Sequence, residues 1–199
     1  MPRLIDFFDS ETTDIPDWHK PSDAPHQPHL VQIALVQVCS ETRKTKNSMN
    51  VIVRPDGWKW DNTSEAFAAH GITFEEAMDI GVPEPQVVEM FMSMIGNGDY
   101  TVAHNHAFDA RIIRIALKRY FPALMDDFKE ARRLCTMWEF KKKMEYHKKP
   151  KLSEAYFEFV GEEMKDAHSA MGDVNAMMVV YWNLVDKFGE DSFDIKGTL

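Results

Sequence analysis

The sequence predicts an α/β fold, in which a mixed five-stranded sheet is flanked by helices, and three observations support this prediction. Residues 4–9 have a strand pattern, and residues 30–38 are almost continuously apolar, as in a central strand. Residues 48–53 form a third strand pattern after a polar, turn-forming run, so the first three strands are expected to pair as an antiparallel meander. Helices and short strands alternate after residue 64, which is typical of a sheet covered by helices.

The elements after the meander follow from capping residues and periodicity. Thr63 or Ser64 caps a helix that ends at Gly71, and Thr73 begins the next with Glu76 three residues later. The last helix carries an apolar stripe that belongs to the core. The predicted helices span residues 64–70, 73–80, 85–95, 107–120, 137–146, 152–160 and 169–188, and the later strands span 99–104 and 133–136.

A long loop is predicted for residues 14–29, which are polar and contain four prolines. The same segment holds His19, His26 and His29. These histidines lack the tight spacing of zinc ligands and have no cysteine nearby, so a zinc site is disfavoured.

Composition is that of a globular protein in a reducing compartment. The chain has 199 residues, of which 44% are hydrophobic, and this length fits one domain over residues 1–199. The N-terminus has no signal-peptide pattern, and no apolar run approaches the ~18 residues of a membrane helix. Cys39 and Cys135 each lie in an apolar stretch, which favours buried thiols over a disulfide. We therefore expect a cytoplasmic protein without a membrane partner.

Charge gives two opposing indications about a nucleic-acid partner. The formal net charge of −9 argues against one. Residues 129–151, here called the basic block, nevertheless carry nine Lys/Arg against three Glu, a local excess of +6. The block is either a solvated helix face or a patch that follows a phosphate backbone.

Two acids stand two positions apart near the end of the first strand. Side chains at i and i+2 of a strand share one face, so Asp9 and Glu11 are expected side by side. Such like charges repel unless a cation or a proton lies between them. The pair is either half of a divalent-metal site or an ordinary acidic strand end.

Two further acids are placed where they can reach this pair. Asn105 precedes a helix as its N-cap, and Asp109 follows near the helix start, at the carboxyl edge of the sheet where ligands bind in α/β folds. Asp173 lies in the first turns of the last helix, which Ser169 caps, and His168 must then lie on the entering loop. Taken alone, each residue has a simpler explanation. Asp109 can be an acid that stabilises the helix start by interacting with the helix dipole, and His168 can be an ordinary loop histidine.

Together, these segments resemble the DnaQ-like (DEDD) 3′–5′ exonucleases, in the branch that uses histidine (DEDDh). The matching segments are residues 9–13, 104–109 and 168–173, and His70-Gly71-Ile72 is similar to a further family segment. The resemblance implies a ribonuclease H-like fold and two divalent cations, Mg²⁺ or Mn²⁺. It implies metal carboxylates at Asp9, Glu11, Asp109 and Asp173, and a general base at His168. It also implies substrate contacts, which we assign to Thr12, Thr13, His70, Ile72, Asn105 and Phe108.

The activity that the resemblance implies is hydrolysis of nucleic acid from its 3′ end to nucleoside 5′-monophosphates. The expected partner is single-stranded or 3′-end nucleic acid, with DNA favoured. RNA remains an alternative, because its recognition depends on 2′-hydroxyl contacts that no motif reveals. Two further alternatives are a catalytically silent binding or proofreading subunit and a metal-dependent phosphatase for small substrates. The sequence leaves open a homodimer or another protein partner.

Overall fold

One mixed sheet forms the centre of the molecule. The structure, a computed structural model, describes residues 2–164 and 169–197. Its strands are β1 (Leu4–Thr12), β2 (Leu30–Cys39), β3 (Thr45–Arg54), β4 (Val82–Pro83), β5 (Tyr100–Ala103) and β6 (Arg133–Cys135). They form a sheet in the order β4-β3-β2-β1-β5-β6.

The predicted antiparallel meander is confirmed. β1 pairs antiparallel with β2, and β2 pairs antiparallel with β3. β5 joins the other side of β1 in parallel, and β6 extends the sheet in parallel beyond β5. Every residue of β2 is buried, which explains why its sequence is apolar along its whole length rather than alternating.

The predicted strand count was wrong, because the described residues form a sheet of six strands and not five. The additional strand is β4, a two-residue edge strand that pairs in parallel with the end of β3. A strand of this length has no periodicity to read. Its second residue, Pro83, is also a type found only at sheet edges, bulges or strand starts.

Helices cover the sheet, and most match the predicted segments. The described residues contain α1 (Glu65–His70), α2 (Phe74–Ile80), α3 (Glu84–Ile95), α4 (His106–Tyr120), α5 (Met125–Glu130), α6 (Thr136–Lys143), α7 (Leu152–Val160) and α8 (Ala170–Phe188). The sequence did not predict α5, whose six residues are too few to show a helical period. Within the described ranges, no helix is both long and apolar enough to cross a bilayer.

Local capping agrees with the sequence except before α4. The hydroxyls of Ser64, Thr73 and Ser169 each accept a backbone N–H bond at the start of α1, α2 and α8. Asn105 does precede α4, but its side chain makes no capping bond, and its backbone has a φ of +66°. Asparagine tolerates this left-handed conformation better than most residues.

The two faces of β1 contact different helices. Phe7 packs edge-on against Tyr181 of α8, with ring centroids 5.0 Å apart. Phe8 packs against Phe91 of α3 and His106 of α4, at 5.2 and 5.5 Å. Because strand side chains alternate, odd-numbered residues of β1 face α8 and even-numbered residues face α3 and α4.

The proline-containing loop between β1 and β2 is ordered by polar contacts. The buried Gln27 side chain donates to the carbonyl oxygens of Asp17 and Pro21, at 2.9 and 3.0 Å. Arg119 of α4 donates to the Pro28 carbonyl at 2.8 Å, and Arg111 donates to the Ser22 hydroxyl at 2.9 Å. These bonds fix the loop against α4, beside the end of β1.

Candidate active site

Three carboxylates meet at the end of β1. Asp9 and Glu11 are on the odd face of the strand and therefore point towards α8. Asp173 lies in the first turn of α8. Each of the three offers an oxygen, and these oxygens lie within 4.8 Å of one another. This spacing allows a single cation to contact all three.

Asp109 approaches the same strand from the face covered by α4. Its Oδ1 accepts two hydrogen bonds from Ser10, one from the backbone N–H at 3.1 Å and one from the hydroxyl at 2.7 Å. The last residue pair between β1 and β5 is Phe7 with Val102, and β5 ends at Ala103, so Ser10 lies beyond the part of β1 that pairs with β5. Asp109 satisfies this donor and is thereby fixed next to Asp9 and Glu11, with 2% of its surface exposed.

Burial and mutual repulsion raise the pKa values of the carboxyl groups in the cluster. Burial, followed by the charges of Asp173 and Asp109, raises the pKa of Glu11 to about 7. Burial, then the charges of Asp109, Asp173 and Glu11, raises the pKa of Asp9 well above its usual range. Burial also raises the pKa of Asp109, although its bonds from Ser10 oppose this.

These four carboxylates fit divalent cations with hard oxygen ligands. Repulsion that raises the pKa of several adjacent acids is relieved either by protons or by a cation between them. Mg²⁺ and Mn²⁺ prefer carboxylate oxygens, and a cluster with four acids offers enough negative charge to balance two such ions.

Gln32 is a site residue that the sequence analysis missed. It lies opposite Glu11 in the pairing of β1 with β2. Its Oε1 accepts the backbone N–H of Ala170 at 3.1 Å, and its Nε2 donates to Asn50 at 3.0 Å. Gln32 therefore ties the first residue of α8 to the sheet beside Glu11. Its polarity within an apolar strand was the available signal.

His104 is a second structural link near the site. Its Nε2 lies 3.1 Å from the Pro150 carbonyl oxygen, and its Nδ1 lies 3.0 Å from the Thr136 hydroxyl. Burial lowers the pKa of His104 to about 4, so the ring is neutral and donates from Nε2 while Nδ1 accepts. The bond to Pro150 holds the end of the basic block against the loop after β5.

A cavity of about 290 Å³ opens beside Glu11 and contains two of the predicted substrate residues. Thr12 and Phe108 line it, together with Ala66 and Ala69 of α1. The cavity is mostly apolar and adjoins the acidic cluster, so a flat ring can enter it while an attached phosphate remains near the carboxylates.

The other predicted substrate residues do not line this cavity. Asn105 is exposed at the start of α4, and the Thr13 hydroxyl accepts the His29 N–H at 3.1 Å. His70 and Ile72 are buried, with 8% and 7% of their surfaces exposed. The Nδ1 of His70 accepts the backbone N–H of Ile72 at 3.0 Å.

His168, the predicted general base, lies outside the described residues. Ser169, the next residue, caps α8 by accepting the Gly172 N–H at 3.1 Å. The carbonyl of Ser169 also accepts the Asp173 N–H at 2.9 Å.

Some lysines of the basic block pair with groups of the protein, and others lie beside an exposed tryptophan. Lys143 is only 10% exposed and donates to the Ser192 carbonyl and hydroxyl at 2.9 and 2.7 Å. Lys148 pairs with Glu154 at 2.5 Å. Lys141 and Lys149 instead lie over the ring of Trp138, which is 47% exposed. The surface available to a phosphate backbone is thus smaller than the sequence implied.

Comparison with known proteins gives a family and a fold. Residues 7–181 match the family RNase_T, described as an exonuclease family. A search of curated proteins gave no match.

Several solved exonucleases share the architecture at low sequence identity. The nuclease domain of 3′hExo, a DEDDh family member bound to rAMP, matches with a TM-score of 0.75 and 13% identity, covering 100% of this chain and 98% of that one. E. coli exonuclease I in complex with a dT13 oligonucleotide matches with a TM-score of 0.71 and 20% identity, covering 95% of this chain and 42% of that one. The chain therefore spans about two fifths of the exonuclease I chain that it matches. These likenesses confirm the predicted ribonuclease H-like fold.

Proposed function

The chain belongs to the RNase_T family of exonucleases, within the DnaQ-like DEDD group, and we propose that it is a metal-dependent 3′–5′ exonuclease of the DEDDh branch. It would hydrolyse phosphodiester bonds at the 3′ end of single-stranded nucleic acid, preferably DNA, and release nucleoside 5′-monophosphates. We take residues 1–199 as one exonuclease domain that acts in the cytoplasm.

The observation that carries the proposal is the convergence of Asp9, Glu11 and Asp173 within 4.8 Å, with Asp109 fixed beside them by Ser10. We assign these four carboxylates as ligands of two Mg²⁺ or Mn²⁺ ions. When bound, such ions supply neutralisation of the phosphodiester charge and Lewis-acid polarisation of the scissile phosphate.

The chain's own residues would position the substrate and move the proton. His168 would accept a proton from the attacking water, since an imidazole pKa lies near neutrality. The cavity lined by Thr12 and Phe108 would hold the terminal nucleotide beside Glu11. The ordered loop of residues 14–29 forms another wall of that cavity through Asp14 and Ile15. Contacts from Thr13, His70, Ile72 and Asn105 stay predictions.

The solved relatives bear on the choice of nucleic acid. One is exonuclease I in complex with a dT13 oligonucleotide, and another is a 3′-exonuclease that recognises the 3′ end of a histone mRNA stem-loop. The first description names a DNA oligonucleotide and the second the 3′ end of an RNA, so a nucleic acid is common to both whereas the sugar differs. These descriptions support a nucleic-acid substrate and leave the choice between DNA and RNA to experiment.

The test is degradation of oligonucleotides labelled at either end, with DNA and RNA of the same sequence, in Mg²⁺, Mn²⁺ or EDTA. We expect stepwise shortening from the 3′ end, release of 5′-monophosphates and no activity in EDTA. Release of inorganic phosphate alone would indicate a phosphatase. Faster degradation of RNA would reassign the preferred substrate.

Two variants connect the activity to the proposed residues. Asp9→Ala should reduce turnover by about a thousandfold or more, because it removes charge stabilisation at the reacting phosphate. Asp79→Ala, at an exposed acid on α2, is the matched control and should retain full activity. His168→Ala should lower turnover about a hundredfold or more while metal binding is retained. Near wild-type rates in Asp9→Ala would refute the metal-site assignment.

A further inference from the structure

A second cavity, of about 400 Å³, lies at the β6 edge of the sheet. Its walls come from the start of α4, from β6 and α6, and from the C-terminal segment after α8. None of the four carboxylates of the candidate active site lines it. Its side chains include His106, Arg133, Trp138, Glu139, Lys142 and Lys196.

Two buried acceptors in this cavity lack partners among the described residues. His106 is 3% exposed, and its Nε2 lies 2.9 Å from the Thr101 hydroxyl. That hydroxyl has one proton, which goes either to the Arg132 carbonyl at 3.3 Å or to Nε2, and in the first arrangement the ring donates from Nε2. Burial, together with the charge of Arg133, lowers the pKa of His106 to about 3, so the ring is neutral, and in this tautomer the Nδ1 lone pair has no partner among the described residues.

Glu139 provides the other acceptor. It is 5% exposed, and its Oε1 accepts the Asp194 N–H at 3.2 Å. Its Oε2 has no hydrogen-bond partner in the described part of the chain, with Lys143 at 3.8 Å as the ion-pair neighbour. A buried acceptor without a partner is energetically unfavourable, so a ligand that donates a hydrogen bond to it binds more tightly.

The cavity also presents donors and an aromatic surface. The buried Nη1 of Arg133 has no hydrogen-bond partner among the described residues. Lys142 is exposed beside it, and both are suited to a phosphate. Trp138 contributes a half-exposed ring, which is a suitable face for stacking a nucleobase.

We propose that this cavity binds a nucleoside monophosphate whose base carries an exocyclic amino group, as adenine and cytosine do. The amino group donates to His106 or Glu139, the base contacts Trp138, and the phosphate contacts Arg133 and Lys142. Thymine and uracil have a carbonyl in place of the amino group and offer only the single N3–H as a base donor, so they cannot serve both acceptors as an amino group can. The ligand is either a free nucleotide or one residue of a single strand, since both present the same groups. The site requires neither the metal cluster nor nuclease activity.

The test is titration calorimetry of the full chain with dAMP, dCMP and dTMP in EDTA, so that the acidic cluster holds no metal. We expect dAMP and dCMP to bind at least about tenfold more tightly than dTMP, equivalent to about 1.4 kcal/mol. Equal affinity for dTMP, or no binding of dAMP at millimolar concentration, would overturn the proposal.

Variants locate the bound nucleotide. Glu139→Gln keeps the Oε1 contact but replaces the free acceptor by an amide donor, and it should weaken dAMP binding about tenfold. Lys142→Ala should weaken dAMP more than deoxyadenosine, because the nucleoside lacks the phosphate. Lys118→Ala, at an exposed lysine of α4, should have no effect and is the control. An unchanged melting temperature checks that each variant folds.

Two comparisons separate this site from the active site and identify the ligand's source. Asp9→Ala should bind dAMP like the wild type in EDTA, and loss of binding there, with Glu139→Gln unaffected, would overturn the proposal. The second comparison tests whether a dA oligomer binds more tightly than dAMP, with Glu139→Gln weakening the binding of both by the same factor. That result would support the site and identify a nucleic-acid strand as its ligand.

Discussion

Asp6 gives the sharpest test of the structure, because it is a buried acid that takes no part in the proposed chemistry. Its side chain has no exposed surface, and one oxygen, Oδ1, accepts the Gln37 amide at 2.9 Å. The other oxygen, Oδ2, has no hydrogen-bond partner among the described residues. It packs against Gly98 so closely that a Cβ atom added to this glycine would lie 1.7 Å from it. Burial, and to a lesser degree the charge of Asp99, raises the pKa of Asp6 from 3.8 to about 7.

The sign of the pH dependence follows from proton binding. The unfolded chain releases the Asp6 proton near pH 3.8, whereas the folded protein retains it until about pH 7. Folding is therefore increasingly penalised as pH rises through this window, by about 1.4 kcal/mol per pH unit. Above pH 7 the penalty is constant, at about 4 kcal/mol.

Asp6→Asn removes the ionisation and keeps an oxygen for Gln37. We expect its stability relative to the wild type to increase by about 2.5 kcal/mol between pH 5 and pH 7. Urea unfolding of both proteins at each pH measures this difference, and other titrating groups cancel in the comparison. Asp127→Asn, at an exposed residue of α5, should change stability by the same small amount at both pH values. A pH-independent effect of Asp6→Asn would refute the reasoning.

Three further predictions concern the candidate active site and its surroundings. Ser10→Ala removes the 2.7 Å hydroxyl bond to Asp109, and it should lower kcat by roughly 10- to 100-fold in a nuclease assay, with Ser10→Thr restoring activity in part. Gln32→Leu breaks the link to α8, so kcat should fall about tenfold while KM changes less. Lys141→Ala combined with Lys149→Ala should weaken binding of single-stranded DNA and reduce its salt dependence, as measured by fluorescence anisotropy across a salt series.

The sequence predicted those features that depend on local spacing. Asp9 and Glu11 share a face because strand side chains have a period of two, and this needs no tertiary information. The helix starts at Ser64, Thr73 and Ser169 likewise depend on one hydroxyl and the adjacent backbone. Such features can be predicted from a few consecutive residues.

The features that the sequence did not predict depend on contacts between distant segments. Gln32 acts through Ala170, which is 138 positions away, and nothing local to residue 32 identifies that partner. Lys143 looks like part of a solvated charge run, but the segment at Ser192 covers it. The cavity at β6 combines residues from three separate parts of the chain, so its unpaired acceptors emerge only from packing.

The alternation of β1 explains how a single strand can assemble acids from both sides of a sheet. Its odd residues bring Asp9 and Glu11 to the face where α8 supplies Asp173, whereas its even residue Ser10 reaches Asp109 on the face covered by α4. Each helix is then fixed by a separate hydrogen bond: Gln32 accepts one from Ala170 of α8, and Ser10 donates one to Asp109 of α4. The two supports share no atom, so each can position its carboxylate independently. This arrangement depends on the unequal neighbours of β1. On one side, β2 pairs with β1 along its whole length. On the other side, β5 is short and ends at Ala103, which leaves the Ser10 N–H available to Asp109.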